Sequence, residues 1–326
     1  MLLSIISICL GAFAIVATLL PIARSSKWWV RIWDFPRLQV GIVSLISVLL
    51  YLSTLENLRF FDVALVGILG ICAAWQFSFV WRFSPLGPRE VAQSRLKAQS
   101  SRCLSLVTTN VKQSARDSDA LLRIIADAQP DVVLAVEVDE WWSGRLIEGL
   151  GAGFTYKLTY PLSNGYGLAL FSRLELIDPS IRYVVDDAIP SIRTGLRLRC
   201  GIGIEIFGVH PRPPGAFQDS TERDLELVLV GREIAQSGLP SILAGDLNDV
   251  AWSPTTREFK LIGNVLDPRR GRGMFNTFPA SMPGLRYPLD HVFHTQHFDL
   301  CDMKVLPRFK SDHLPLKVTL CLRDDA

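Results

Sequence analysis

The stretch SILAGDLND (residues 241–249) reads as a strand that stops on a carboxylate and an amide, Asp246 and Asn248. Taken alone, its GDLN is a tight turn with Asp246 as the cap. The same pattern recurs along the chain, however. Asn110 closes CLSLVTTN, Glu137 lies near the end of DVVLAVEV, and His210 follows IGIEIFGV. Asp290 sits in PLDHVFH, and Asp312 and His313 open SDHLPLKVTLCL. A carboxylate or amide buried without a partner is costly, so polar residues at the ends of apolar strands need a reason. Strand ends gathered at one rim of a sandwich would supply one, by bringing these distant positions together.

The residue types form one chemical set. Asn, Glu and Asp oxygens are hard ligands suited to Mg²⁺ or Mn²⁺, and no cysteine is among them. Histidines can protonate or neutralise phosphate oxygens, and an Asp can orient a His by accepting its ring proton. These are parts for metal-assisted attack of water on a phosphate ester. His291 points away from Asp290, because neighbours on a strand face opposite sides, and is expected to be structural. His294 and His297 are expected to be structural or solvated.

The strands alternate with helical segments. DALLRIIADAQP (residues 119–130) carries apolar residues at helical spacing and is stopped by Pro130. STERDLELVLVGREIAQSG (residues 220–238) reads as an amphipathic helix with Ser220 or Thr221 as N-cap. Hairpins among the strands and the absence of an internal repeat predict an α/β sandwich with mixed sheets.

The first quarter of the 326-residue chain differs from the rest. Apolar runs at about 2–22, 38–55 and 60–80 each approach the ~20 residues that a membrane-crossing helix needs. This predicts a three-helix membrane anchor (1–83), a polar linker (84–101) and a soluble domain (102–326). Trp28, Trp29, Trp33, Trp75 and Trp81 suit the membrane–water interface. Hardly any charge lies within the spans, which leaves a transporter without an evident pathway. A net charge of +2 gives no general argument for nucleic-acid binding. Arg269, Arg270 and Arg272 form a short cluster expected either to be solvated or to touch substrate. The six cysteines lack CxxC spacing, so a zinc site is not expected, and the soluble part is too large to need disulfide staples.

Cys103 to the C-terminus resembles the endonuclease/exonuclease/phosphatase superfamily, through TTNV, LAVEVDEW, GVHPRPP, LAGDLND, PLDHVF and SDHLP in that order. NGYGLALFSRLEL (residues 164–176) and AGDLNDVAWSP are similar to its bacterial, membrane-anchored branch. The resemblance implies a four-layer αββα sandwich of two mixed sheets with one divalent-metal site on its rim. It implies that Glu137, Asn110 and Asp312 hold or border Mg²⁺ or Mn²⁺. It also implies that Asp246 activates water, Asn248 and His210 contact the phosphate, and Asp290 orients an essential His313. TTNV lacks the aromatic that often precedes the Asn, and AVEV replaces the common Gln–Glu pair. The expected activity is a membrane-anchored phosphoesterase acting on a lipid head group, a small phosphoester or nucleic acid. A nuclease is the alternative, and a catalytically silent binding module is the reading of another class. Counting Lys and Arg places the soluble domain in the cytoplasm. The resemblance instead favours the outer side of a bacterial plasma membrane, which is the expectation adopted.

Overall fold

The computed structural model describes residues 2–57, 59–215 and 218–324; residues 1, 325 and 326, the ends of the expected anchor and soluble domain, lie outside that description. The N-terminal part contains α1 (Leu2–Leu19), α2 (Trp28–Arg31), α3 (Arg37–Leu52) and α4 (Phe60–Val80). Two helical stretches, Leu2–Ala23 and Phe60–Phe83, are long and apolar enough to cross a membrane. The third expected span is shorter than its apolar run. With 16 residues α3 is about 24 Å long, less than the ~30 Å hydrocarbon core. It makes a span only if joined to the Trp28–Asp34 segment, from which it is bent by 74°.

The remainder alternates strands and helices. β1 (Cys103–Asn110), α5 (Ser118–Ala128), β2 (Val132–Val136), α6 (Glu140–Leu150), β3 (Tyr156–Tyr160) and β4 (Leu168–Ser172) come first. β5 (Leu176–Tyr183), β6 (Pro190–Arg197), β7 (Gly203–Val209), α7 (Thr221–Ser237), β8 (Ser241–Asp246), α8 (Pro254–Ile262) and β9 (Val265–Leu266) follow. β10 (Asp290–Thr295), β11 (Phe298–Val305) and β12 (Leu316–Leu322) close the chain. They form two six-stranded mixed sheets, ordered β11-β12-β1-β2-β4-β3 and β5-β6-β7-β8-β10-β9. The period-two pattern explains the layers. Leu104 and Leu106 of β1, Leu134 of β2, Ile206 of β7 and Val292 of β10 fill the space between the sheets. Val107 and Val133 face outward onto α5 and α6, while Phe207, Leu243 and Phe293 face α7 and α8. The result is an αββα sandwich.

Topology explains why the polar strand ends meet. β1 runs parallel to β2 and β7 parallel to β8, so Asn110, Glu137, His210 and Asp246 all leave at one rim. β12 is antiparallel to β1 and β10 to β8, so their beginnings return to the same rim. Gly245 makes the closest approach possible. Its φ is +142°, and a Cβ there would stand 1.9 Å from the Val209 carbonyl oxygen. Only glycine lets β7 and β8 converge just before His210 and Asp246.

Three features differ from expectation. Cys103 and Cys321, register partners on β1 and β12, form a disulfide, so one pair of the scattered cysteines is a staple. The segment 84–101 docks instead of hanging free: Val91 lies in the inter-sheet core, and Leu300 on β11 exchanges backbone hydrogen bonds with Ala92 and Ser94. The arginine cluster is tied into the fold, and only Arg269 is internal. Arg269 is fully buried against Asp267 and His291, Arg270 pairs with Glu90, and Arg272 donates to backbone carbonyls.

Glu226 on α7 is buried, and burial, aided by Asp186 and opposed by Arg182, raises its pKa to about 8. A carboxyl that holds its proton more tightly when folded destabilises the fold as pH rises from about 4.5 towards 8. Wild-type melting temperature is therefore expected to fall across that window, and Glu226→Gln should fall less steeply. Parallel pH profiles for the two proteins would contradict this.

Candidate active site

The rim is densely hydrogen-bonded. The Asn110 side-chain NH₂ donates to Glu137 Oε1 at 2.8 Å and to Asp246 Oδ2 at 3.0 Å, joining the two sheets. Glu137 has φ +62° and Asn248 has φ +51°, left-handed conformations that cost most for a residue such as Glu. Strain of that kind, of order 1–3 kcal/mol, gathers where side-chain placement outweighs local preference. Here it turns Glu137 off the end of β2 towards the cleft, where Oε1 lies 3.9 Å from His210 Nε2.

His313 sits between two carboxylates. Its Nδ1–H donates to Asp290 Oδ2 at 2.8 Å, and its Nε2 lies 3.5 Å from Asp246 Oδ2. Asp246 and Asp290 are direct cross-strand partners, which fixes this spacing. Ser311 ties the loop down, since its Oγ–H donates to the Asn110 carbonyl and its oxygen accepts from His313 N–H. Burial alone would lower the His313 pKa. The Asp290 and Asp246 charges, the hydrogen bond to Asp290 and nearby Asp312 outweigh it and raise the value to about 10. At neutral pH His313 is therefore a buried imidazolium. Burial likewise works against the Asp246 charge, but His313, His210, the Asn248 N–H and Asn110 hold its pKa below the ordinary value.

His210 Nδ1–H donates to the Asp246 carbonyl at 3.2 Å, which leaves Nε2 towards the cleft. The Asn248 amide donates to the Pro211 carbonyl at 3.0 Å, coupling the two loops. Asp312 is drawn to Lys112 Nζ at 2.9 Å, at the more open edge of the rim. Asn110, Glu137, His210, Asp246, Asn248, Asp290 and His313 are thus brought together, with Asp312 beside them.

Asp246, Asp290 and His313 have potential ligand atoms within 4.8 Å of one another. With His313 protonated and donating to Asp290, that trio holds a proton in the place of a cation. The more open Glu137 carboxylate, bordered by Asn110, offers the hard oxygen donors that Mg²⁺ or Mn²⁺ prefers. These residues fit a hard divalent cation.

His291 is buried and neutral. Burial and Arg269 lower its pKa to about 3, Nε2–H donates to the Asp249 carbonyl, and Nδ1 accepts from Arg269. His294 is also buried, and Nδ1–H donates to the Thr295 carbonyl. The sequence reading passed over Asp249, one residue beyond Asn248. Asp249 binds Arg31 at 3.2 Å, Arg223 at 3.3 Å and the Ser253 hydroxyl at 2.6 Å. The available signal was Arg31 itself, a charge inside the apolar run WWVRIW. Counted towards membrane orientation, Arg31 and Arg37 are in fact buried in ion pairs with Asp34.

Fold and rim together define a four-layer sandwich with a His–carboxylate–amide site at its strand ends. The residue pattern of the Endonuclease/Exonuclease/phosphatase family matches residues 107–313, and the chain belongs to that family. Solved structures agree on the fold. A family member from Beutenbergia cavernae is 20% identical over 68% of this chain and 72% of its own, with a TM-score of 0.56. The mannosyl-6-phosphatase Bt3783 of Bacteroides thetaiotaomicron is 17% identical over 67% and 100%, with a TM-score of 0.57. The human Nocturnin catalytic domain, solved with a bound sulfate, is 17% identical over 72% and 98%, with a TM-score of 0.54. No curated protein matches the chain.

Proposed function

We propose that this protein is a membrane-anchored phosphoesterase that uses Mg²⁺ or Mn²⁺, with an anchor to residue 83, a docked connector (84–101) and a catalytic domain from residue 102. The observation that carries the reading is the buried His313 imidazolium fixed between Asp290 and Asp246 on a rim shared with Glu137, Asn110 and His210. Bt3783 is named as a phosphatase, and zebrafish TDP2 was solved with a single-strand DNA product, which suits phosphate-ester chemistry on this fold.

Glu137 and Asn110, with Asp312 nearby, would hold the cation. When bound, it supplies positive charge to the phosphate oxygens. Asp246, ionised, accepts a hydrogen bond from the attacking water and receives its proton. His210 Nε2 and Asn248 contact the phosphate oxygens. His313 stabilises the charge that develops on phosphorus-bound oxygen. Water adds to phosphorus, the P–O bond to the alcohol breaks, and the departing alkoxide takes a proton from solvent water, to which Asp246 returns the proton it received.

The test uses the full-length protein in detergent. Hydrolysis of bis(p-nitrophenyl) phosphate is expected with Mg²⁺ or Mn²⁺, to vanish with EDTA, and to return on adding metal. No turnover with either ion, together with no metal binding by calorimetry, would leave a silent binding module.

The catalytic domain is proposed to lie on the outer side of the membrane. The Cys103–Cys321 disulfide supports this, since such bonds persist in oxidising compartments. Protease added to intact spheroplasts of a bacterium expressing the protein should reach the domain. Full protection would place it inside.

A further inference from the structure

Next to the rim lies a cavity of about 560 Å³, within the ~300–1,000 Å³ range of small-molecule sites. It has walls from two parts of the chain. Trp28, Ile32, Trp33 and Phe35 come from the connector between α1 and α3, while Asn248 and Phe278 come from the catalytic domain. Phe278 is shared with the reacting centre, because its ring centroid lies 4.8 Å from that of His313. Asn248 belongs to the phosphate-handling loop. At the other end Ile32 is half exposed and Trp28 is 39% exposed, where the first membrane-length helix ends and α3 begins.

The connector wall is fixed. Arg31 bonds Asp249 and Thr255, and Trp252 Nε1–H donates to the Asp34 carbonyl at 2.7 Å. These contacts fasten the wall to the loop that carries Asn248. A nucleobase or sugar face can stack on the aromatic rings, but neither gains from the aliphatic lining of Ile32, Leu289 and the prolines or from an apolar mouth beside the membrane-length helices. An amphiphile does, with its phosphate on the rim and its hydrocarbon in the bay. The exposed Trp28, which lines the bay, and its exposed neighbour Trp29 give the mouth the side chains that prefer the zone between headgroups and chains.

We propose that the bay between the membrane connector and the catalytic rim binds the hydrocarbon chain of the substrate, a phosphoester lipid drawn from the bilayer. The proposal rests on the phosphoesterase reading and names its substrate class. Each methylene buried in such a bay is worth roughly a fourfold gain in binding.

Full-length protein in nanodiscs, with Mg²⁺, is tested on ethyl, octyl and hexadecyl p-nitrophenyl phosphate. kcat/KM is expected to rise at least about tenfold from ethyl to octyl. Ile32→Asp should reduce that octyl-to-ethyl ratio by about tenfold, and Ile32→Leu should retain it. A wild-type ratio near one overturns the proposal. So does a ratio unchanged by Ile32→Asp, which would mean that partition into the bilayer produces the gradient. An equal loss on all esters also overturns it, as a structural effect. If no ester is hydrolysed, the phosphoesterase reading has failed and the bay is judged by binding alone. A photoactivatable hexadecyl phosphate should then cross-link to the peptide containing residues 28–36 in wild type and much less in Ile32→Asp. Equal labelling of the two would refute chain binding.

Discussion

His313→Ala is expected to lower kcat/KM for a phosphodiester by about three orders of magnitude while leaving the far-ultraviolet circular dichroism intact. Acid–base or charge-stabilising groups contribute typically ~10²–10⁴-fold, and here the charge-stabilising role falls on the one imidazolium. The geometry explains the size of the effect. His313 is 4% exposed, its Nδ1 is committed to Asp290, and its Nε2 is directed at Asp246 beside the phosphate-handling rim. Alanine removes the cation and leaves two buried carboxylates facing each other across β8 and β10. Asp290→Asn separates orientation from metal binding, because the Asp290 carboxylate is hydrogen-bonded to His313 and is not among the residues proposed to hold the cation. It should cut turnover by about 10²-fold or more, by the logic of a buried carboxylate fixing a catalytic His, and leave Mg²⁺ affinity nearly unchanged. Wild-type turnover in a folded His313→Ala protein would remove the assignment. The same ion cluster makes a stability contribution with a defined sign. His313 has its pKa raised to about 10, so its contribution is complete below about pH 6.5 and fades as pH climbs towards 10.

The second large effect is expected at Asp249, which is not among the residues proposed to contact the phosphate. Asp249→Ala should destabilise the protein by ~2–3 kcal/mol, below the full cost of an uncompensated buried charge, because Arg31 keeps Asp34 and Arg223 keeps Asp224. Arg31 and Arg223 are 6% and 1% exposed, and both lie against Asp249 Oδ2. For a domain of this size that corresponds to a fall in Tm of about 4–12 °C. Activity should fall with it, since Asn248 in its left-handed conformation is the preceding residue. A double-mutant cycle with Arg31→Ala should show strong coupling, because that pair fastens the connector to the catalytic loop. A Tm within a degree or two of wild type would show that the network carries little.

The candidate site was largely legible in the sequence because polar residues at the ends of apolar strands are conspicuous. Asp246, Asp290 and His313 stand out in runs that are otherwise Leu, Ile, Val and Phe, and one rim is the arrangement that lets them pair. Contacts between distant segments were not legible. The Arg31–Asp249 pair is 218 residues apart, and so is Cys103–Cys321. Neither partner carries a local pattern that names the other. Arg31 in WWVRIWDF therefore looks like a membrane-flanking charge, and Cys103 like a lone core thiol. Val91 was hidden for a related reason. Scattered apolar residues in a polar stretch show no periodicity, yet Val91 joins the inter-sheet core. The bent helix pair escaped notice because hydropathy measures the apolar run and not where the backbone turns.

The bond between Cys103 and Cys321 turns nearly the whole catalytic domain into a covalent ring. The first strand after the connector and the last strand of the sheet are fastened at one point. Everything that builds the rim, from Asn110 to His313, lies on the loop so closed. A protease that cuts an exposed turn within the ring opens it without shedding either piece, because both remain tethered through the same sulfur pair. A nicked chain thus keeps all of its rim residues on one covalently linked molecule.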